Sequence, residues 1–572
     1  MSSGVEVADD IANSVLSLPK VGKELYKEFR VSRLLSTSVS FHKALTRVKR
    51  PSFSDTLKGK QTKKKQKGDV TVSKDILGQL HALSIKEGTA IDYREALKYP
   101  LSKIPLSLAN SDGTMRKTAK PNLKSTFIDD SEFTTSLNAT GTLIVDLVAL
   151  FHQLVKIPET YVKVCNSIIS MVSKTIDHVK RVDFVADCYT VNISPIKRGE
   201  HIQRGESAQI TIKSLTSKTA ANFKERILQN PENKTRLIEL LTQYVSENTN
   251  SVMRQLGCGT IFISAEGQCH KIMIGHTSAY TQLESNQPEA DTRLILHARD
   301  ALQSTTSDVY IYSPSADTDI IVLAVSLLHD ESHRVYIADG SGKGLKTFKL
   351  SDVTIDEEEL RRKHGVTVEE EELRRALIGL YAFTGNDYAS SFFRVGKKTA
   401  YTQMLSDERN VGLFSELGEF IDVISIEVQL EWAERFVCQL YNKKQCTSLN
   451  EASYEMFKKV LVKNKTVSLS RIPPCQSVLR LHLQRSAYIA YLWRKSEEKQ
   501  IDLPAIDQFG WFSDGNIVWT EEEIFPGAIA KYIEAEDEET YEVEDEFEDM
   551  YEVEEDDDPC FGLFESDDDD EI

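Results

Sequence analysis

The sequence predicts an α/β fold: an open parallel sheet flanked by helices, then a mostly helical C-terminal region and a disordered acidic tail. Three observations carry this. Short, fully apolar runs end repeatedly in aspartate, as buried parallel strands do where they meet a ligand-bearing edge. Stretches of helical spacing separate these runs, which implies crossover connections. The end of the chain has almost nothing apolar to bury.

Up to about residue 70 the chain has little periodicity and carries Arg47-Val48-Lys49-Arg50 and Lys63-Lys64-Lys65-Gln66-Lys67. This is a flexible basic arm for import receptors or nucleic acid, or simply a solvated linker. Residues 71–140 are an N-terminal extension expected to pack on the core. The core itself is expected over 141–405. Its strands are Thr142-Leu143-Ile144-Val145 closed by Asp146, Val182–Ala186 closed by Asp187, Val309–Tyr312 running into SPSADTD, and Arg334–Ala338. Between them LIVDLVALFHQL, PEADTRLILHARDAL and EEELRRALIGLYAF have helical spacing. Residues 206–260, rich in Lys, Asn and Thr, look like an insertion with at least one amphipathic helix. A helical region follows over 406–533, and the acidic tail occupies 534–572.

Charge is distributed unevenly along the 572 residues. The net −19 comes from the tail, which holds 23 acids and no Lys or Arg; without it 65 acids face 69 bases, a body of about +4. Such a body can meet a polyanion, and the tail can compete for the same surface or dock basic proteins. No apolar run approaches the roughly 20 residues that span a bilayer. The start MSSGVEVADD has no secretory pattern. Eight cysteines without a CxxC pair argue against a disulfide framework and a zinc ribbon.

The candidate chemistry lies in carboxylates at strand ends and helix starts: Asp146; Asp187; Glu289 with Asp291; Asp317 with Asp319; and Asp387 in FTGNDYASSFF. Any one alone is an ordinary helix cap. Seven converging on the carboxyl edge of one sheet would repel each other, and divalent cations are the usual remedy. Hard oxygen donors without Cys or His favour Mg²⁺ or Mn²⁺ over zinc. By contrast His152, His297 and His482 lie within apolar helical patterns and read as packed residues. Cys188 has no histidine at a meaningful spacing, and Gly340 and Gly342 read as a turn.

In this order the motifs resemble those of the flap-endonuclease (XPG-like) branch of the PIN-like nucleases, over roughly 140–405. TLIVD ending at Asp146 is similar to the family's early VD strand, and VDFVAD at Asp187 to its VFD motif. Glu289-Ala290-Asp291 resembles E-A-[ED], and Ser315-Ala316-Asp317-Thr318-Asp319 resembles T-E-D-x-D. Gly385-Asn386-Asp387-Tyr388 and Arg394-Val395-Gly396-Lys397-Lys398-Thr399-Ala400 resemble G-S-D-Y and G-[IV]-G-x-K-x-A.

The resemblance implies two metal ions, Mg²⁺ or Mn²⁺. Asp146, Asp187, Glu289 and Asp291 would hold the first, and Asp317, Asp319 and Asp387 the second. It implies that Lys197 and Arg204, seven residues apart, contact the scissile phosphate. Arg394, Gly396, Lys397 and Lys398 would grip a nucleic-acid backbone, with Arg394 standing where the family has glycine. Flap specificity does not transfer, because 206–260 lacks the family's helical-arch pattern. YPLSKIPLSLANSDGTMRKTAKPNL, EADTRLILHA and IPPCQSVLRLHLQRSAYIAYLW also resemble a group of uncharacterised, mobile-element-associated animal proteins.

The resulting expectation is a metal-dependent, structure-specific nuclease acting on branched or free-ended DNA, or on RNA. It is placed in the nucleus, or otherwise the cytoplasm. The alternative is a catalytically weakened scaffold that binds nucleic acid or protein partners.

Overall fold

The computed structural model describes residues 91–121, 123–124, 141–175, 179–189, 195–197, 210, 212–220, 222–314, 318–339, 345–353, 367–462, 469–521 and 524–527, with a few positions in 20–31 and 84–88. The basic runs before residue 70 and the acidic tail lie outside the described residues, as do Asp317 and Arg204.

One eight-stranded sheet organises the molecule. Its strands are β1 Thr142–Asp146, β2 Arg181–Val185, β3 Thr260–Ala265, β4 Gln268–Met273, β5 His276–Ala279, β6 Val309–Tyr312, β7 Val335–Asp339 and β8 Lys346–Lys349. They stand in the order β5-β4-β3-β2-β1-β6-β7-β8. The central five, β3-β2-β1-β6-β7, are parallel. The edges β4, β5 and β8 pair antiparallel.

The four strands expected from apolar runs are β1, β2, β6 and β7, each within one residue. The edge strands escape that logic because they are half-exposed and polar: QCHKIM and HTSA turn only Cys269 and Ile272 fully inward. A turn at Glu266-Gly267, both at positive φ, joins β3 to β4.

Side-chain alternation gives the sheet two buried faces. Ile144, Val185, Val309 and Ile311 face one core, and Leu143, Val145, Phe184 and Ile263 face the other. On the second face lie α1 Leu147–Gln153, α2 Tyr161–Ser173, α3 Pro231–Glu247 and α4 Thr249–Leu256. The described part of the stretch read as an insertion thus supplies the crossover from β2 to β3. The first face carries α5 Ala290–Ser304, α6 Thr318–Leu327 and α7 Glu370–Phe383. The C-terminal helices α8 Lys397–Met404, α9 Glu408–Glu416, α10 Val423–Leu440, α11 Leu449–Val462 and α12 Gln476–Arg494 continue this side. Phe383, Phe414, Phe436 and His482 pack there in tilted and edge-to-face pairs, so the helical region shares a core with the sheet. Among the described residues no helix is long and apolar enough to cross a membrane.

His482 packs in this core as expected from its apolar helix. It is fully buried, with Nε2 2.8 Å from Phe383 O, and burial beside Arg485 brings its pKa down to about 3. A base depressed in the folded state contributes stability that is full above its unfolded pKa of about 6.5 and is lost as pH falls toward 3. His482→Asn keeps a donor but cannot titrate. Its acid-unfolding curve, followed by circular dichroism, is expected to be less steep between pH 6.5 and 4 than that of the parent chain. Parallel curves would place the acid sensitivity elsewhere.

Candidate active site

The strand order reverses at β1. The chain steps from β1 to β2 to β3 in one direction, then returns on α5 to lay β6 and β7 on β1's other side. At such a switch point the connecting loops diverge and leave a crevice beyond the carboxyl ends. Asp146 ends β1, Asp187 follows β2 by two residues, and Asp319 opens the helix after β6.

Each of these carboxylates is held by local chemistry. Asp146 caps α1, accepting from Ala149 N–H at 3.0 Å. Asp187 accepts the first-turn N–H of Ala290 at 2.6 Å, and so caps α5 from across the crevice. It also takes Tyr189 Oη at 3.1 Å and Lys197 Nζ at 3.0 Å. Burial alone would raise its carboxyl, but Lys197 and the Ala290 N–H hold it at about 2.

Asp187's cap leaves the Glu289 side chain out of capping, although Glu289 is the N-cap residue of α5. Glu289 instead accepts the Tyr388 hydroxyl. Burial, with the nearby charges of Asp187 and Asp319, pushes it up to about 7 against the opposing pull of Lys197 and Tyr388. Asp291 stands half-buried in the first turn of the same helix.

Asp387 arrives from the other side of the crevice. Gly385 adopts φ +109°, where a Cβ would come within 2.8 Å of Ser391. Asn386 Oδ1 then accepts the N–H groups of Tyr388 and Ala389, fixing the turn that projects Asp387 and Tyr388. Asp319 is nearly buried and accepts the Tyr381 hydroxyl at 2.5 Å.

Two features go beyond the expectations from the sequence. The N-terminal extension crosses this edge of the sheet, and its Lys120 Nζ lies 2.8 Å from Asp319 Oδ2 and 3.0 Å from Asp387 Oδ2. Lys117 Nζ approaches Asp387 Oδ1 at 3.4 Å. The basic pair in TMRKTAK was the signal available. Beneath the site, Asp183 of β2 accepts Arg181 through both carboxylate oxygens, at 2.7 and 2.6 Å. Asp183 Oδ2 also meets His297 Nδ1 at 2.7 Å, and His297 Nε2 meets Ser264 Oγ at 2.8 Å. The order Ser264–His297–Asp183 has hydrolase-like distances, but all three side chains are completely buried, so no substrate reaches Ser264.

The structure therefore brings Asp146, Asp187, Glu289, Asp291, Asp319 and Asp387 to one edge. As they stand, no three acidic, histidine or cysteine side chains among the described residues form a group able to hold a metal ion. Among the described residues, which leave out Asp317, ammonium, phenol and backbone donors already bond oxygens of Asp146, Asp187, Glu289, Asp319 and Asp387. The donors are nonetheless of the right kind for a hard cation. Glu289, a half-buried carboxyl with two acidic neighbours, is the residue that a cation would relieve most.

Lys197, expected at a phosphate, is buried with its Nζ 3.0 Å from Pro288 O as well as from Asp187. Arg394 is exposed and adopts φ +60°, the left-handed backbone for which the glycine of the resembling motif is suited. Gly396 caps α8 with open space where a Cβ would be, and Lys398 is exposed. Lys397 corrects the expectation for this group. Its side chain is 1% exposed and donates to Tyr381 O at 2.9 Å and Thr384 Oγ1 at 3.1 Å, so it braces the turn before Asp387 and does not face a nucleic acid.

Neither a scan against models of protein families nor a search of curated proteins returns a match for this chain.

Proposed function

We propose that this chain is a PIN-like, divalent-metal-dependent nuclease that hydrolyses phosphodiester bonds of branched or free-ended DNA, or of RNA. What supports the reading is the placement of six carboxylates, at the end of β1, just after β2, at the starts of α5 and α6 and in the loop after α7, beyond the carboxyl ends of the parallel strands at the switch point. Mg²⁺ or Mn²⁺, when bound by Asp146, Asp187, Glu289 and Asp291, would supply Lewis-acid activation of water and stabilisation of phosphoryl charge.

The chain's own residues do the rest. Tyr388 and Lys197 orient Glu289 and Asp187. Lys197 would reach a phosphate oxygen, as a point charge, only by leaving Asp187 and Pro288 O. Exposed Arg394 and Lys398, with the Gly396 backbone at the start of α8, hold the nucleic-acid backbone in a sequence-independent way. Basic proteins are a second partner class, through the acidic tail, and a nuclear location fits these substrates.

Glu289 must lose its proton to bind a cation, so the Mg²⁺ concentration giving half-maximal cleavage is expected to fall as pH rises through about 7. The test is purified full-length chain on labelled flaps, hairpins, single strands and duplexes, with Mg²⁺, Mn²⁺ or EDTA. Cleavage that persists in EDTA, or none on any substrate, overturns the proposal.

A second reading has one specific observation in its favour. Lysines already neutralise Asp187, Asp319 and Asp387, as befits a scaffold that binds nucleic acid or protein without cutting. Binding without cleavage in the same assay would select it.

A further inference from the structure

We infer that Lys120 is a resident cation: its ammonium stands between Asp319 and Asp387 in place of a second metal, so the site takes one divalent ion. The inference rests on the metal-dependent reading in assuming that the Asp146, Asp187, Glu289 and Asp291 half takes an ion.

The geometry is that of a filled site. Both oxygens of Asp319 have donors, Oδ1 from Tyr381 at 2.5 Å and Oδ2 from Lys120 at 2.8 Å. Both oxygens of Asp387 do too, Oδ1 from Lys117 at 3.4 Å and Oδ2 from Lys120 at 3.0 Å. Among the described residues the two carboxylates thus already have two ammonium partners. A divalent ion added without expelling them would stand close to both ammonium groups in a partly buried place, where like charges repel strongly. To enter, it must displace Lys120, whose side chain is only 20% exposed.

Lys120 belongs to an anchored strap, which keeps its effective concentration at the pair high. Residues 107–116 form a small hairpin, with Asn110 N donating to Thr114 O at 2.8 Å and Arg116 N to Leu108 O at 3.2 Å. Phe393 N donates to Ser107 O at 2.8 Å, and Ser391 N to Arg116 O at 2.9 Å. The Arg116 guanidinium lies 4.6 Å from the centre of the Phe393 ring. The strap is therefore bonded to the same segment that carries Asp387. This arrangement accounts for a basic N-terminal extension that returns to the catalytic edge of the sheet.

The experiment counts Mn²⁺ ions bound to the full-length chain, from the electron paramagnetic resonance signal of free Mn²⁺. Four chains are compared: the parent, Lys120→Met, Lys120→Arg and Asp187→Asn/Glu289→Gln. The last measures weak binding by the tail, which is common to all four. The parent is expected to bind one ion more than this reference, Lys120→Met one more than the parent, and Lys120→Arg the same number as the parent. Lys120→Gln gives the same comparison should the methionine chain not fold. Equal numbers in the parent and in the chain lacking the ammonium overturn the inference; if that number is two above the reference, the metal reading survives it. A parent that binds no more than the reference removes the metal reading and the inference together.

Discussion

Asp187→Asn combined with Glu289→Gln is expected to abolish Mg²⁺-dependent cleavage, by about 10³-fold or more, while leaving the fold nearly as stable as before. A 10³-fold loss corresponds to roughly 4 kcal/mol of transition-state stabilisation, a large effect for two changes that swap oxygen for nitrogen. Stability is spared because the two substitutions oppose each other. Asp187, depressed to about 2, contributes stability that is present above its unfolded pKa and lost only as pH falls through 2, so its removal costs the fold at neutral pH. Glu289, raised to about 7, contributes stability that is full below its unfolded pKa and lost as pH rises through 7, so its removal relieves the fold at pH 7.5 and above. Each term is on the order of 1–3 kcal/mol. In the doubly substituted chain the asparagine amide oxygen still accepts the Ala290 N–H, and the glutamine amide still meets Tyr388. Single-turnover cleavage and urea unfolding at pH 7.5 read the two sides. Cleavage within tenfold of the parent, with the fold intact, would move the active site away from this crevice.

How far the sequence reached follows from what kind of signal each residue leaves. Asp146 and Asp187 were legible because parallel strands are apolar on both faces and stop at the crevice, so a carboxylate closing such a run marks the edge. Glu289 and Asp291 were legible as helix starts, but not their division of labour: that Asp187 caps α5 and so leaves Glu289 to Tyr388 is a contact across 99 residues or more. Lys120 was legible only as a base in TMRKTAK, and its partners were not. It meets partners 199 and 267 residues away, and local spacing carries no information about such closures. Lys397 failed for a different reason. In Gly396-Lys397-Lys398 either lysine could face outward, and only the packing of α8 on α7 decides that Lys397 points in.

A buried network also leaves a signal in the sequence. Val182-Asp183-Phe184-Val185 places a carboxylate in the middle of a strand expected to be buried on both faces, where an unpartnered charge is prohibitive. Asp183 is fully buried, and its partners are Arg181, two residues before it on the same face, and His297 of α5. Arg181 in turn reaches Asp300 at 2.6 Å, and its guanidinium stacks over Phe262 at 4.2 Å. Burial keeps His297 below its ordinary pKa. The neutral ring then donates from Nδ1 to Asp183 and accepts at Nε2 from Ser264. The network ties β2, β3 and α5 together one layer beneath Asp187 and Glu289, so it sets the distance between the strand that carries one and the helix that carries the other.

Asp183→Ala should therefore be the most damaging single change in the sheet. It leaves the Arg181 guanidinium with Asp300 as its one carboxylate partner among the described residues, and strands His297 Nδ1–H without an acceptor where water does not reach. Breaking a buried pair by removing one partner costs about 3–5 kcal/mol. Ser264→Ala removes a neutral acceptor–donor contact and should cost only about 1–3 kcal/mol. If the Ser264–His297–Asp183 constellation is structural, Ser264→Ala should also leave cleavage rates unchanged, since Ser264 is completely buried. Urea unfolding at pH 7.5 gives the first two numbers and the cleavage assay gives the third. An Asp183→Ala chain within about 1 kcal/mol of the parent would mean that the network contributes nothing to stability. Loss of cleavage in a stably folded Ser264→Ala chain would mean that an opening to this serine exists, and that the chemistry lies there instead of at the carboxylates.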